Sequence, residues 1–219
     1  CLMEKARNNA DIIIVGSGAA GMMAAIAAGR KGKKCLILEK GSHIAVSNAA
    51  RAGGPALANT LLQKKANAVV TEFQLFEHMY CFSRGTVNAG LLRNAISKGA
   101  AVEECFRSVG IEMEFLPDTY GVGFRARQMF RCSGKKRWQP LYEFLIQLGG
   151  SVHFDREAFK LLKQNGRVYG VEARDAKRKY LSVSGGYRDC RNRWISGKSG
   201  NDTGTFWRNS CIAVRKQTL

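Results

Sequence analysis

Asp11-Ile-Ile-Ile-Val-Gly-Ser-Gly-Ala-Ala-Gly21 decides the fold of this chain. Four β-branched residues in a row, Ile12 to Val15, predict a strand buried on both faces, as in the centre of a parallel sheet. The strand runs into Gly16-x-Gly18-x-x-Gly21 and then into the Ala-rich run Met22–Arg30, which predicts a helix. Gly16 permits the tight turn, Gly18 lets backbone approach a pyrophosphate, and Gly21 lets helix pack on strand. The free N–H groups and dipole of the helix start favour an anion there. A second strand, Cys35-Leu-Ile-Leu-Glu39, ends in a carboxylate 18 positions after Gly21. An acid at that place accepts from both hydroxyls of a ribose. Strand, glycines, helix, strand and acid in this order predict a dinucleotide-binding βαβ unit. Glu39 calls for a free 2′-hydroxyl, hence FAD or NAD rather than NADP.

Composition bounds the rest. With 219 residues, 45% of them hydrophobic, the chain is long enough for a sizeable core. No run of about 18 apolar residues predicts a membrane span, and Cys1-Leu-Met-Glu-Lys-Ala-Arg7 lacks the apolar centre of a signal peptide. Opening on Cys1 points to a fragment of a longer reading frame, with Met3 as the alternative start. Seven cysteines without a Cys-x-x-Cys spacing argue against a zinc site or disulfide framework and fit a reducing cytoplasm. A net charge of +18 raises nucleic acid or an anionic membrane surface as partners. Residues 184–219 hold seven Lys or Arg against two Asp, and the remaining excess is spread without aromatic interleaving. That pattern argues against nucleic-acid binding.

After Glu39, the small residues and glycine pair of Ser47-Asn-Ala-Ala-Arg-Ala-Gly53-Gly54 suggest a loop pressed against a flat cofactor. Composition alone also fits an ordinary loop. At this point the chain resembles the fumarate reductase/succinate dehydrogenase flavoprotein family, on the strength of DIIIVGSGAAG, LILEK and SNAARAGGPALA. The resemblance extends over about residues 10–183.

It implies an α/β, Rossmann-like FAD-binding fold of the glutathione-reductase type, incomplete, with an inserted helical segment and a small β-meander. Its implied parts are a βαβ unit at 11–40, helices at 57–110 and a returning strand with meander at 151–183. Gly16, Ser17, Gly18, Ala19, Ala20 and Gly21 would wrap the pyrophosphate. Glu39 would hold the adenosine ribose, with Lys40 beside it. Ser47, Asn48, Ala52, Gly53 and Gly54 would line the ribityl chain and ring, and Ala158 would touch adenine through its backbone. Members with covalent flavin attach it through a His six residues before the first Gly of the pair. Ser47 stands there and His43 is four places off, so the implied FAD is noncovalent. The implied reaction is hydride transfer through flavin N5 to or from an activated C=C bond, with substrate and electron donor unidentified. An NAD-dependent Rossmann reductase and a basic nucleic-acid-binding protein are the alternatives.

Further along, Thr71–Tyr80 predicts a helix with Phe73, Phe76 and Tyr80 towards a core and His78 off that stripe. Val87–Lys98 and Ala101–Val109 predict two more helices, the second closed by Gly110. Residues 117–138 read as a loop with a basic cluster at Arg125, Arg127, Arg131, Lys135, Lys136 and Arg137. Contact with phosphate or an acidic substrate is one reading of that cluster, and a solvated basic loop the favoured one. Trp138–Leu148 predicts a helix with Pro140 in its first turn, and Ser151–Asp155 the third parallel strand beside Cys35–Glu39. His153 in that strand reads as structural. Gln164-Asn-Gly166 between two β-rich runs predicts a hairpin, with Tyr180–Val183 as a further strand.

From Ser184 the periodicity disappears, and 184–219 reads as a basic tail, disordered or out of frame. Read one base downstream, Asp189–Trp207 is compatible with codons spelling IAATGGFLGNPEMTQELFG, whose Ala-Thr-Gly-Gly is the run the family places beside its first strand. Trp194-Ile and Trp207-Arg are both forced to Gly in that frame. A frameshift near Val183–Ser184 is the expectation, and codons incompatible with Ala-Thr-Gly-Gly would refute it. Its consequence would be an unpaired edge at Ile12–Val15, with aggregation or partial disorder. No catalytic residue is assigned, because the family's substrate-binding Arg and His residues lie beyond the stretch resembled.

Overall fold

The computed structural model describes residues 4–6, 10–44, 53–116, 126–132, 134–165, 167–175, 180–184 and 213–215. In chain order the elements are β1 (Glu4–Ala6), β2 (Ile12–Val15), α1 (Ala19–Gly29), β3 (Cys35–Leu38), α2 (Leu61–Lys65), α3 (Glu72–Phe82), α4 (Ala89–Ile96) and α5 (Gly99–Ser108). Then follow β4 (Met113–Phe115), β5 (Gln128–Phe130), α6 (Gly134–Gln147), β6 (Ser151–His153), β7 (Glu157–Gln164), β8 (Arg167–Arg174), β9 (Tyr180–Ser184) and β10 (Ala213–Arg215). Cys1–Ala50 with Leu141–Leu219 form one compact unit and Arg51–Pro140 the other.

In the first unit, β2 pairs in parallel with β3, Ile13 opposite Leu36, and β3 in parallel with β6, Ile37 opposite Val152. This is the βαβ arrangement, with the returning strand where it was expected. Alternate side chains of β2 and β3 enter two cores. Ile13, Leu36 and Leu38 pack with Ala10, Val168, Val171 and Ala173, so the β7–β8 hairpin covers one face of the sheet. Ile14 and Ile37 point the other way, and Met22, Ala25 and Ile26 of α1 are buried with them. Gly29 closes α1 beside the end of α6: a Cβ there would lie 2.9 Å from Cβ of Leu148. Cys35 is core, as its place in β3 predicts, and burial followed by nearby Asp11 pushes its thiol up to about 11.

The hairpin turns at Asn165, whose φ of +51° suits an Asn-Gly turn. β9 continues the meander antiparallel to β8. Two strands were not foreseen. β1 lies parallel on β9, and β10 lies antiparallel on β2, Val214 opposite Ile13. The expected unpaired edge at Ile12–Val15 is therefore corrected: β2 is flanked on both sides. An open edge presents N–H and C=O groups that the backbone of any extended segment can satisfy. The proposed out-of-frame stretch at 189–207 lies outside the described residues.

In the second unit, Thr60 and Thr71 start α2 and α3 with capping boxes completed by Gln63 and Gln74. Leu75, 1% exposed, and Phe76 face the core with Ala58, Val70, Leu92, Ile96 and Ala126. The predicted stripe is thus corrected at Phe73, which is 60% exposed, while Tyr80 still packs on that core. His78 is exposed, as expected. Gly110, at φ +74°, ends α5. Its N–H donates to the Arg107 carbonyl and that of Ile111 to the Phe106 carbonyl, a Schellman closure.

The stretch read as a loop at 117–138 is corrected in two places. Gln128–Phe130 is strand, paired antiparallel with β4. α6 begins at Gly134, which puts Pro140 inside the helix instead of in its first turn. Arg137 is not a solvated loop cation: it is 2% exposed, with its guanidinium 4.0 Å above the Phe130 ring. Burial holds its pKa below the usual arginine range, and Cys132 acts against that shift. Arg125 lies outside the described residues. Among the described residues no helix is long and apolar enough to cross a membrane.

Candidate functional site

β2 delivers the chain to Gly16, whose φ of +91° is costly for any residue with a Cβ. The Gly16 N–H donates to the Leu38 carbonyl at 2.8 Å, so the turn stays fastened to β3. Gly18 is extended, with φ −63° and ψ 179°, and α1 begins at Ala19. No side chain caps that start and its first turn holds no acid. Its amide donors and positive dipole end are thus left for an anionic group. Ala19 and Ala20 are exposed, whereas Gly21 is buried, as close helix–strand packing requires.

Glu39 follows β3 directly and is buried, 6% exposed as a residue. Its backbone is fixed from β6: the Glu39 N–H donates to the His153 carbonyl and the Glu39 carbonyl accepts from Arg156 N–H, both at 2.9 Å. The carboxylate is held as firmly. Ser17 donates twice to Oε2, through its N–H at 2.7 Å and its hydroxyl at 2.6 Å. Gly41 N–H donates to Oε1 at 2.8 Å. The glycine turn and the acid, 22 positions apart, are thus joined in one small network. Ser17 was expected at the pyrophosphate; its bond to Glu39 went unforeseen. A hydroxyl between two turn glycines, opposite an acidic strand end, is the signal that could have shown it.

Lys40 is exposed beside the acid. Ala158 is half-buried in β7 opposite Ala173, next to an irregularity of register between Ala158 and Lys160. Ser47, Asn48 and Ala52 lie outside the described residues. Gly53 and Gly54 belong to the second unit, where they run along β5: Phe130 N–H donates to the Gly53 carbonyl and Gln128 N–H to the Pro55 carbonyl. A Cβ on Gly54 would sit 1.8 Å from the Gln128 carbonyl oxygen. Its missing side chain has a cause inside the protein itself.

His153 ends β6 half-buried. Burial, then the Arg156 guanidinium, hold its imidazole below the ordinary 6.5. The unfolded chain then takes up a proton that the folded chain refuses. Stability is full above pH 6.5 and is lost as pH falls through the lower folded value. Denaturation midpoints should decline over that acid window in the parent and less steeply in His153→Gln. Equal slopes would remove His153 as the cause.

A parallel βαβ unit with an uncapped glycine turn and a buried acid on the next strand defines a dinucleotide-binding domain. The family model described as "FAD binding domain" matches residues 11–102. Residues 11–102 are thus similar to an FAD-binding domain, and this match supports FAD as the cofactor. The chain is 30% identical over 172 residues to the acrylate reductase flavoprotein subunit of Shewanella woodyi, covering 75% of this chain and 33% of that protein. It is 31% identical over 104 residues to the vinyl phenol reductase of Lactiplantibacillus plantarum, 48% of this chain and 21% of that one. The chain thus spans a third or less of these relatives' lengths. Among solved structures, the 3-ketosteroid-Δ4-(5α)-dehydrogenase of Rhodococcus jostii RHA1 aligns with TM-score 0.70 and 19% identity, over 84% of this chain and 45% of that one. A flavocytochrome c3 fumarate reductase aligns with TM-score 0.67 and 18% identity, over 79% and 31%. At these identities the structural likeness shows the fold.

Proposed function

We propose that this chain binds FAD noncovalently as part of a flavoprotein oxidoreductase that reduces, or in reverse forms, a C=C bond activated by a neighbouring carbonyl or carboxylate. The observation that carries it is the buried Glu39 carboxylate fastened beside the uncapped start of α1. In this reading the amides from Gly16 to Gly21 hold the pyrophosphate, Glu39 the adenosine ribose, Lys40 lies near it, and the Ala158 backbone meets adenine. Ser47, Asn48, Ala52, Gly53 and Gly54 are assigned to the ribityl chain and ring. Bound FAD supplies two-electron redox chemistry; the protein supplies its binding and orientation. Acrylate, vinyl phenol and fumarate, which name the relatives, share an activated or conjugated C=C bond, and this supports the substrate class. The 219 residues alone hold FAD without turning substrate over.

Dialysis of the chain against equal concentrations of FAD and NAD tests the cofactor. Retained flavin absorbance is the expected result, and retention of NAD alone would replace this reading with a nicotinamide reductase. Gel shift of DNA, persisting when Gly18 is changed, would instead favour a nucleic-acid partner. For the reaction, the complete reading frame, supplied with a reduced dye, should oxidise that dye when acrylate or fumarate is added. No response to any conjugated alkene would refute the substrate class.

A further inference from the structure

We propose that the Ser17 hydroxyl is a latch on Glu39, competing with the ribose for the carboxylate and swinging off it when the dinucleotide seats. The inference rests on reading Glu39 as the ribose-binding acid. An ionised carboxylate has about four lone-pair positions. Among the described residues three are taken: two on Oε2 by Ser17 N–H and O–H, one on Oε1 by Gly41 N–H. One remains, while a ribose brings two hydroxyl donors.

The three donors differ in what it takes to remove them. Ser17 N–H is backbone between Gly16 and Gly18, and the turn itself is bonded to Leu38. Gly41 is backbone in a loop whose own carbonyl accepts from Asp155 N–H at 3.0 Å. Only the Ser17 hydroxyl leaves by one side-chain rotation. Its departure frees a second acceptor position and leaves the other two donors in place to orient the acid. With Ser17 3% and Glu39 6% exposed, the pair is also closed to solvent. The 2.6 Å bond must therefore be broken before both ribose hydroxyls are accepted. A hydrogen bond to a charged group is among the stronger ones in proteins, so the competition is costly for binding.

Ser17→Ala removes the latch. FAD titrated into the full chain should bind about tenfold more tightly than to the parent, while the FAD-free protein melts at a lower temperature. A merely structural serine predicts the opposite sign, lower melting together with weaker binding. Ser17→Cys covers the case in which the alanine variant does not fold. Its thiol is a weaker donor of similar size, and FAD binding tighter than the parent's is expected. If the parent binds FAD but Ser17→Ala and Ser17→Cys bind it equally or less tightly, the latch is wrong and the reading of Glu39 stands. If the parent takes up no FAD, that reading fails and the latch with it.

Discussion

Gly54→Ala should destabilise the second unit by about 3 kcal/mol or more. The added Cβ would lie 1.8 Å from the Gln128 carbonyl oxygen, 2.7 Å from its carbon and 2.8 Å from Cα of Met129. All three are backbone of β5, and β5 is bonded to β4 on one side and to the Gly53–Leu57 stretch on the other. Nothing can rotate away, so strand separation is the only relief, at the expense of hydrogen bonds on both sides. Gly53→Ala is the control. Its Cβ would meet Cε of Met129 at 2.6 Å, the far end of a flexible side chain that can turn aside. Denaturant unfolding of the two variants should therefore differ by a wide margin. Equal, small losses would mean that Gly54 is not pressed against β5.

The second large effect is expected at Glu103. This acid of α5 is 5% exposed and gives one oxygen to each of the first two amides of α2, Leu61 at 2.6 Å and Leu62 at 3.0 Å. Thr60 takes the third through its hydroxyl. Every donor at that helix start is thus answered from within the unit. Glu103→Ala leaves two amides with lost partners and should cost roughly 2–4 kcal/mol. Glu103→Gln is expected to recover only part of this. An amide side chain has a single acceptor oxygen and would turn its NH2 donors towards one of the two N–H groups. A glutamine variant as stable as the parent would show that the charge and the second acceptor are dispensable.

What could be read beforehand follows the range of the interactions. The βαβ unit, the returning strand at 151–153, the Asn165 turn and the Gly110 closure were legible because each is written in a few consecutive residues. Phe73 misled because the apolar residues of α3 fit two faces, and packing against Ala58, Val70, Leu92, Ile96 and Ala126 selects the one that buries Leu75. Arg137 was counted as a solvated charge because nothing local shows that Phe130 lies under it. The strands β1 and β10 depend on partners more than 170 positions away in sequence, Leu181 for Glu4 and Ile14 for Ala213. Three residues of ordinary composition carry no mark of such a pairing. At the site, Gly16, Gly18, Gly21 and Glu39 were legible as a spacing. The use of Gly54 by Gln128 and of Ser17 by Glu39 was not, since both are packing facts between distant segments.

In the proposed site Glu39 and the start of α1 hold one end of FAD. Flavin fluorescence titration of the parent, Glu39→Ala and Gly18→Val is the direct measurement. Loss of the ribose acceptor should weaken FAD by about a hundredfold or more. A valine at the extended Gly18 should do at least as much by blocking the pyrophosphate. Parent-like affinity in both variants, with the parent itself binding, would contradict the account.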